Sequence, residues 1–125
     1  AHRNLRQKAF GPWSVLLARR YGGVVEHPYR SGLWPFMNLP EPGSADEWGK
    51  SIIVDQHWFG HRAQKRTLLY ICGHQGNMPD LPFTLGDHYY PVQNMGTVER
   101  EKTPRAFGEY LHEIANSCLP LSGDA

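Results

Sequence analysis

Residues 59–73 read Phe-Gly-His-Arg-Ala-Gln-Lys-Arg-Thr-Leu-Leu-Tyr-Ile-Cys-Gly, a basic polar loop that runs straight into an apolar strand and stops at glycine. That layout places Arg62, Gln64, Lys65 and Arg66 at the mouth of a sheet, where they can meet an anionic or polar ligand. Upstream, Ser51 to Phe59 alternates as a strand does. Ile52, Val54, Gln56 and Trp58 fall on one face, and Ile53, Asp55, His57 and Phe59 on the other. The connection 60–66 is too short for a parallel crossover, so 51–59 and 67–72 are expected to pair as an antiparallel hairpin.

The N-terminal half supplies a helix and a further strand. Gly11-Pro12 and Gly22-Gly23 frame a helix: proline suits a first turn, and glycine suits the left-handed residue after a last one. Pro12 is expected to kink or separate this helix from any turn over residues 3–10. Val24-Val25-Glu26-His27 then reads as a short buried strand stopped by Pro28. A helix leading through Gly-Gly into such a strand is half of a parallel α/β unit. The expected fold is therefore α/β, with a parallel strand, an antiparallel hairpin and flanking helices. Residues 31–37 offer one helical turn, 38–50 a loop, and 74–102 a mostly irregular stretch. Thr103 can cap a final helix with Pro104 in its first turn. Its apolar stripe is Phe107, Tyr110, Leu111, Ile114, Ala115 and Cys118, and Pro120 ends it.

Composition narrows the function classes. The chain has 125 residues, the length of one domain, and 40% are hydrophobic, with four Trp, six Tyr and five Phe. It is therefore a globular sequence and not a disordered one. A formal net charge of +1 gives no global field that would by itself demand nucleic acid, although the 62–66 cluster allows a local basic patch. Cys72 and Cys118 set no disulfide framework, and both sit in apolar contexts. They read as buried thiols of a reducing compartment, which points to the cytoplasm. No apolar run approaches the ~18 residues of a membrane span.

Glu26 stands at the C-terminal end of the expected parallel strand, where α/β folds place ligands. Its carboxylate can accept hydrogen bonds from a base or take part in proton transfer. It can equally pair with Arg62 or Arg66. The densest metal-ligand set is His57, His61, Cys72 and His74. Pairing 59 with 67 would put His57 and His74 roughly 17 Å apart at ~3.4 Å per residue, too far for one tetrahedral zinc. His57 and His61 alone could form part of a site. Cys72, inside an apolar strand, reads as an inert core thiol.

Several segments, taken in order, resemble a known family. These are Val24-Val25-Glu26-His27-Pro28, Ser31 with Leu33-Trp34, Phe59-Gly60-His61 with Gln64 and Arg66, and Leu69-Tyr70-Ile71-Cys72-Gly73. They resemble phage and prophage proteins related to DNA cytosine-C5 methyltransferases. In that superfamily a Glu-Asn-Val strand end is followed by a Tyr-Gly-x-Pro-Gln-x-Arg-x-Arg segment that enters an apolar strand. Glu26 matches the glutamate, with His27 in the asparagine's place. Gln64 and Arg66 match the second motif, with Leu68 in place of its last arginine. Thr103-Pro104-Arg105-Ala106-Phe107 resembles the segment that opens the family's final helix.

The resemblance implies a partial Rossmann-like, class I methyltransferase-like sheet spanning residues 1–125. It implies DNA as partner, with Glu26 facing a base and Arg62, Gln64, Lys65 and Arg66 contacting nucleic acid. The family's glycine-rich cofactor turn and its catalytic Pro-Cys segment have no counterpart in residues 1–125. The resemblance thus makes the chain correspond to a C-terminal half, its other half lying upstream or lost in a degenerate descendant, and S-adenosylmethionine would be its cofactor only together with that half. Three function classes follow: a methyltransferase relative, a non-catalytic nucleic-acid-binding or accessory protein, and a metal-dependent nuclease. A sheet edge left open by a missing half would favour a homodimer.

Overall fold

A computed structural model describes residues 2–81 and 102–121. Helix α1 spans His2–Tyr21, strand β1 Gly23–Pro28 and the single turn α2 Leu33–Phe36. Strand β2 spans Gly49–Asp55, a 3-10 turn Gln56–Phe59, strand β3 Arg66–Cys72 and helix α3 Arg105–Asn116. The expected irregular stretch 74–102 lies largely outside the described residues.

The sheet has the order β1-β3-β2, and both pairings are antiparallel. This corrects the expected fold. Among the described residues no two strands pair in parallel, so the sheet is not the partial Rossmann-like, class I methyltransferase-like one. The physical reason lies in β3. From Thr67 to Cys72 every residue is buried, so this strand belongs at the centre and offers an edge on each side. The hairpin partner β2 takes one edge, as the short 60–66 loop demands. β1 takes the other edge, running opposite to β3, with Val25 facing Tyr70 and Glu26 facing Leu69. β1 and β2 consequently run in the same direction with β3 reversed between them.

Alternation along β3 builds two cores. Leu68, Tyr70 and Cys72 join Val15 and Ala18 of α1, Val25, and Leu33, Trp34 and Leu39. Leu69 and Ile71 join Val54, Phe59 and the Phe107–Tyr110–Ile114 stripe of α3. The sheet is thus covered by a helix on each face. Gly73 ends β3 at φ +73°, with the Leu119 carbonyl where a side chain would begin.

Three local expectations also change. α1 passes through Pro12 as one helix, so Pro12 does not separate two helices there. β2 stops at Asp55 and not at Phe59, because the Asp55 side chain accepts the His57 N–H (3.0 Å) and starts the 3-10 turn. The hairpin register then pairs Asp55 with Arg66 in place of 59 with 67. α3 is preceded by Pro104, and no side chain caps it, Thr103 included.

Candidate nucleic-acid interface

β1 and β2 finish, and β3 begins, at one end of the sheet. The 62–66 cluster lies at that end, and Glu26 lies opposite Leu69, further in along the sheet. The loop there is fixed by its own hydrogen bonds. Asp55 Oδ1 accepts from the backbone of Lys65 (2.8 Å) as well as from that of His57. Gln56 N–H donates to the Lys65 carbonyl (3.0 Å), and His61 N–H to the Gln56 carbonyl (3.1 Å). The His57 ring, through Nδ1, lies 2.8 Å from the His61 carbonyl and donates to it. Ala63 is fully buried, and Phe59 packs against the rings of Phe107 (5.1 Å) and Tyr110 (4.9 Å) of α3. The loop backbone is therefore a rigid platform attached to α3.

Arg62, Gln64 and Arg66 project outward from this platform and are exposed, while Lys65 is half-buried. With its amide oriented so that Oε1 faces the guanidinium, Gln64 accepts from Arg66 Nε at 3.1 Å and Nη2 at 3.3 Å. The Arg66 guanidinium also lies 5.5 Å from the centre of the half-exposed Tyr29 ring. On the α3 side, Gly60, His61 and Arg62 face Lys102, Thr103, Pro104 and Arg105 across a cleft of about 390 Å³. Three cations thus surround the uncapped N-terminus of a 12-residue helix whose first turn holds no carboxylate. Free N–H groups and the helix dipole both favour an anion there. Arg105 touches Glu109 at 3.1 Å, but both side chains are largely exposed, so water screens the pair.

Sequence reasoning found Arg62 but missed Lys102 and Arg105 as its partners. The signal available was two cations bracketing Thr103-Pro104 at a helix start. Glu26 is exposed, but it does not meet Arg66. It shares the α3 face of β1 with Val24, whereas Arg66 falls, by alternation, on the α1 face with Leu68. His57 and His74 lie at opposite ends of β3, and His74 bridges to Cys118. Among the described residues no three His, Cys, Asp or Glu side chains gather as metal ligands.

Cys72 is fully buried, and burial pushes its thiol up to about 11. Close by, Asp46 receives hydrogen bonds from Trp48 N–H (3.0 Å), Gly49 N–H (2.9 Å) and the Tyr70 hydroxyl (2.8 Å). Arg19 stands 3.6 Å from the same carboxylate, donates to the Tyr70 oxygen (3.2 Å) and lies over the Trp48 ring at 4.0 Å. Burial pushes the Asp46 carboxyl up, but these hydrogen bonds and the Arg19 charge outweigh it and hold the group below its ordinary value. Burial pushes the Tyr70 hydroxyl up. No helix among the described residues is long and apolar enough to cross a membrane. Compared with family models, curated proteins and solved structures, the chain matches none.

Proposed function

We propose that this protein binds single-stranded nucleic acid, DNA in the first instance, without itself carrying out chemistry on it. The observation that supports the reading is the cleft where Arg62, Lys102 and Arg105 surround the start of α3. Three cations and free helix N–H groups suit phosphate oxygens. Tyr29, with Arg66 and Gln64 beside it, adds an aromatic and guanidinium surface at the same end of the sheet. Phosphate-binding cations and an aromatic surface at one end of a sheet, here on its two faces, are the kinds of group that single strands use. Such a role fits the cytoplasm. Among the described residues β1 pairs on one side only, which leaves an edge for a second copy.

The test is fluorescence anisotropy with a labelled oligodeoxynucleotide across a salt series. Three phosphate contacts predict a log–log slope of roughly −2 for a single strand. Affinity that does not change with salt would sink the reading.

A second reading is a DNA cytosine methyltransferase relative with Glu26 facing the base. Its support is the exposed Glu26, which lies opposite Leu69, three residues along β3 from Arg66. It requires S-adenosylmethionine and a cysteine thiolate other than Cys72, whose thiol is buried and protonated at neutral pH. Calorimetry with S-adenosylmethionine on the chain tests one arm of this reading: heat of binding supports it, whereas its absence shows that residues 1–125 do not hold the cofactor alone.

A further inference from the structure

We infer that a second site, separate from the basic cleft, lies between α1, β1 and α2: a pocket that takes a flat heteroaromatic ring bearing a hydrogen-bond acceptor. The pocket has a volume of about 350 Å³ and is lined by Gly11, Pro12, His27, Ser31, Leu33 and Phe36, among others. That volume lies in the range of small-molecule sites. Its walls are mostly apolar. Gly11 lets α1 come close to Leu33 and His27, because a side chain there would begin 3.2 Å from Leu33 Cδ1 and 3.5 Å from His27 Cε1. Phe36 is 75% exposed, the most exposed of the large apolar side chains described, and so offers a ring face to a ligand.

The polar chemistry of the pocket sits in one pair. Ser31 Oγ accepts the Leu33 N–H (3.1 Å) and lies 2.8 Å from His27 Nδ1. We assign the hydroxyl proton to Nδ1, so that Ser31 donates to His27. The assignment leaves the neutral imidazole with its hydrogen on Nε2. That nitrogen has no hydrogen-bond partner among the described residues. It adjoins the Cε1 edge of the ring, the edge turned towards Gly11. The pocket thus combines a stacking face with one oriented donor. An aliphatic ligand would not use the Phe36 face, and an anion would meet apolar walls. A neutral ring with an acceptor nitrogen or oxygen uses both groups. Such a ring could be a free heteroaromatic molecule or a base of a nucleic-acid strand.

The experiment titrates the full chain with adenosine and follows the His27 and Phe36 ring signals by NMR, with ribose as control. Saturable shifts at both rings are expected with adenosine and none with ribose. Phe36→Ala should weaken adenosine binding by about fivefold or more. Gly32→Leu should abolish it at an unchanged melting temperature. Gly32 has φ −68° and nothing within 4 Å of where a side chain begins, so leucine fills the pocket mouth without strain. The double variant Arg62→Ala/Arg105→Ala should bind adenosine as the parent does, so failure of the phosphate cleft would leave this site standing. An oligodeoxyadenylate that shifts the same rings at lower concentration than adenosine identifies a strand's base as the ligand. Adenosine binding at least as tightly identifies a free heteroaromatic. Absence of saturable shifts with either, or full adenosine affinity in folded Gly32→Leu, overturns the proposal.

Discussion

At the end of the sheet where β1 and β2 begin, Arg19 is enclosed. It meets the Asp46 carboxylate, the Tyr70 hydroxyl and the Trp48 ring, and its side chain is only 16% exposed. At the end where β1 and β2 finish, Arg62 and Arg105 face a cleft around a helix start and are exposed. The first arginine ties α1, the 38–48 loop and β3 into one body. The other two have exposed side chains on a cleft wall, within reach of a ligand. Asp55 makes a related point about carboxylates. It is buried at the exposed-arginine end, yet it binds backbone N–H groups of the loop and leaves the cations there to other partners.

The sharpest way to break this comparison is at Asp46. Its carboxylate accepts from two backbone N–H groups and the Tyr70 hydroxyl. Asp46→Ala should cost about 3 kcal/mol, in line with losing hydrogen bonds to a charged group and leaving buried donors unpaired. The midpoint of thermal unfolding, followed by circular dichroism, should fall by about 10 °C. A loss below about 1 kcal/mol would mean that the two ends do not differ as described.

The same residue gives a pH prediction. The Asp46 carboxyl is held below its ordinary value in the folded protein. Its contribution is therefore fully present above about pH 4, the unfolded carboxylate value, and disappears as pH falls through the lower folded value. Urea unfolding at stepped pH should show the parent losing stability below about pH 4. Asp46→Asn should be less stable at pH 7 and lose less on acidification. Parallel losses in the two proteins would assign the acid sensitivity to other groups.

Sequence reading located β3 almost to the residue, because an apolar run between Arg66 and Gly73 leaves little choice of boundary. It did not give the strand order. A run such as 24–27 has the same pattern whether its neighbour is parallel or antiparallel, and only the open second edge of a buried β3 decides. The alternation of 51–59 persisted four residues too far: Gln56 and Trp58 continue the period, while the Asp55 carboxylate has already turned the chain. Half of the cleft was legible, in the basic loop. Lys102 and Arg105 were not, since it is Phe59 packing on Phe107 and Tyr110 that brings α3 to the loop. The Arg19–Asp46 network was hidden for the same reason: those residues are 27 positions apart and on different elements.

At the exposed end the expected effects fall on binding and not on stability. Arg62→Ala and Arg105→Ala, alone or together, should change unfolding free energy by no more than about 0.5 kcal/mol. Together they should weaken oligodeoxynucleotide binding by about tenfold at low salt, and the salt slope should become shallower by about 1.4. A double variant that unfolds far more easily would show that these arginines support the fold as Arg19 does. A double variant with parental affinity and slope would remove the cleft from the interface.

The smallest expected effect concerns the cysteines. Cys72 is fully buried, with its thiol pushed up to about 11, so roughly 0.1% is thiolate at pH 8 even before access is considered. Cys118 is half-buried, with its thiol also raised by burial and its sulfur 3.3 Å from the Ile114 carbonyl. Iodoacetamide at pH 8, followed by intact-mass spectrometry, should label Cys118 slowly and Cys72 only after denaturant is added. The result bears on both halves of the comparison. Rapid labelling of Cys72 would mean that the enclosed end opens readily, and that Asp46, Tyr70 and Arg19 do not hold it closed. It would also supply a reactive sulfur on β3, the one ingredient the methyltransferase reading must otherwise take from elsewhere.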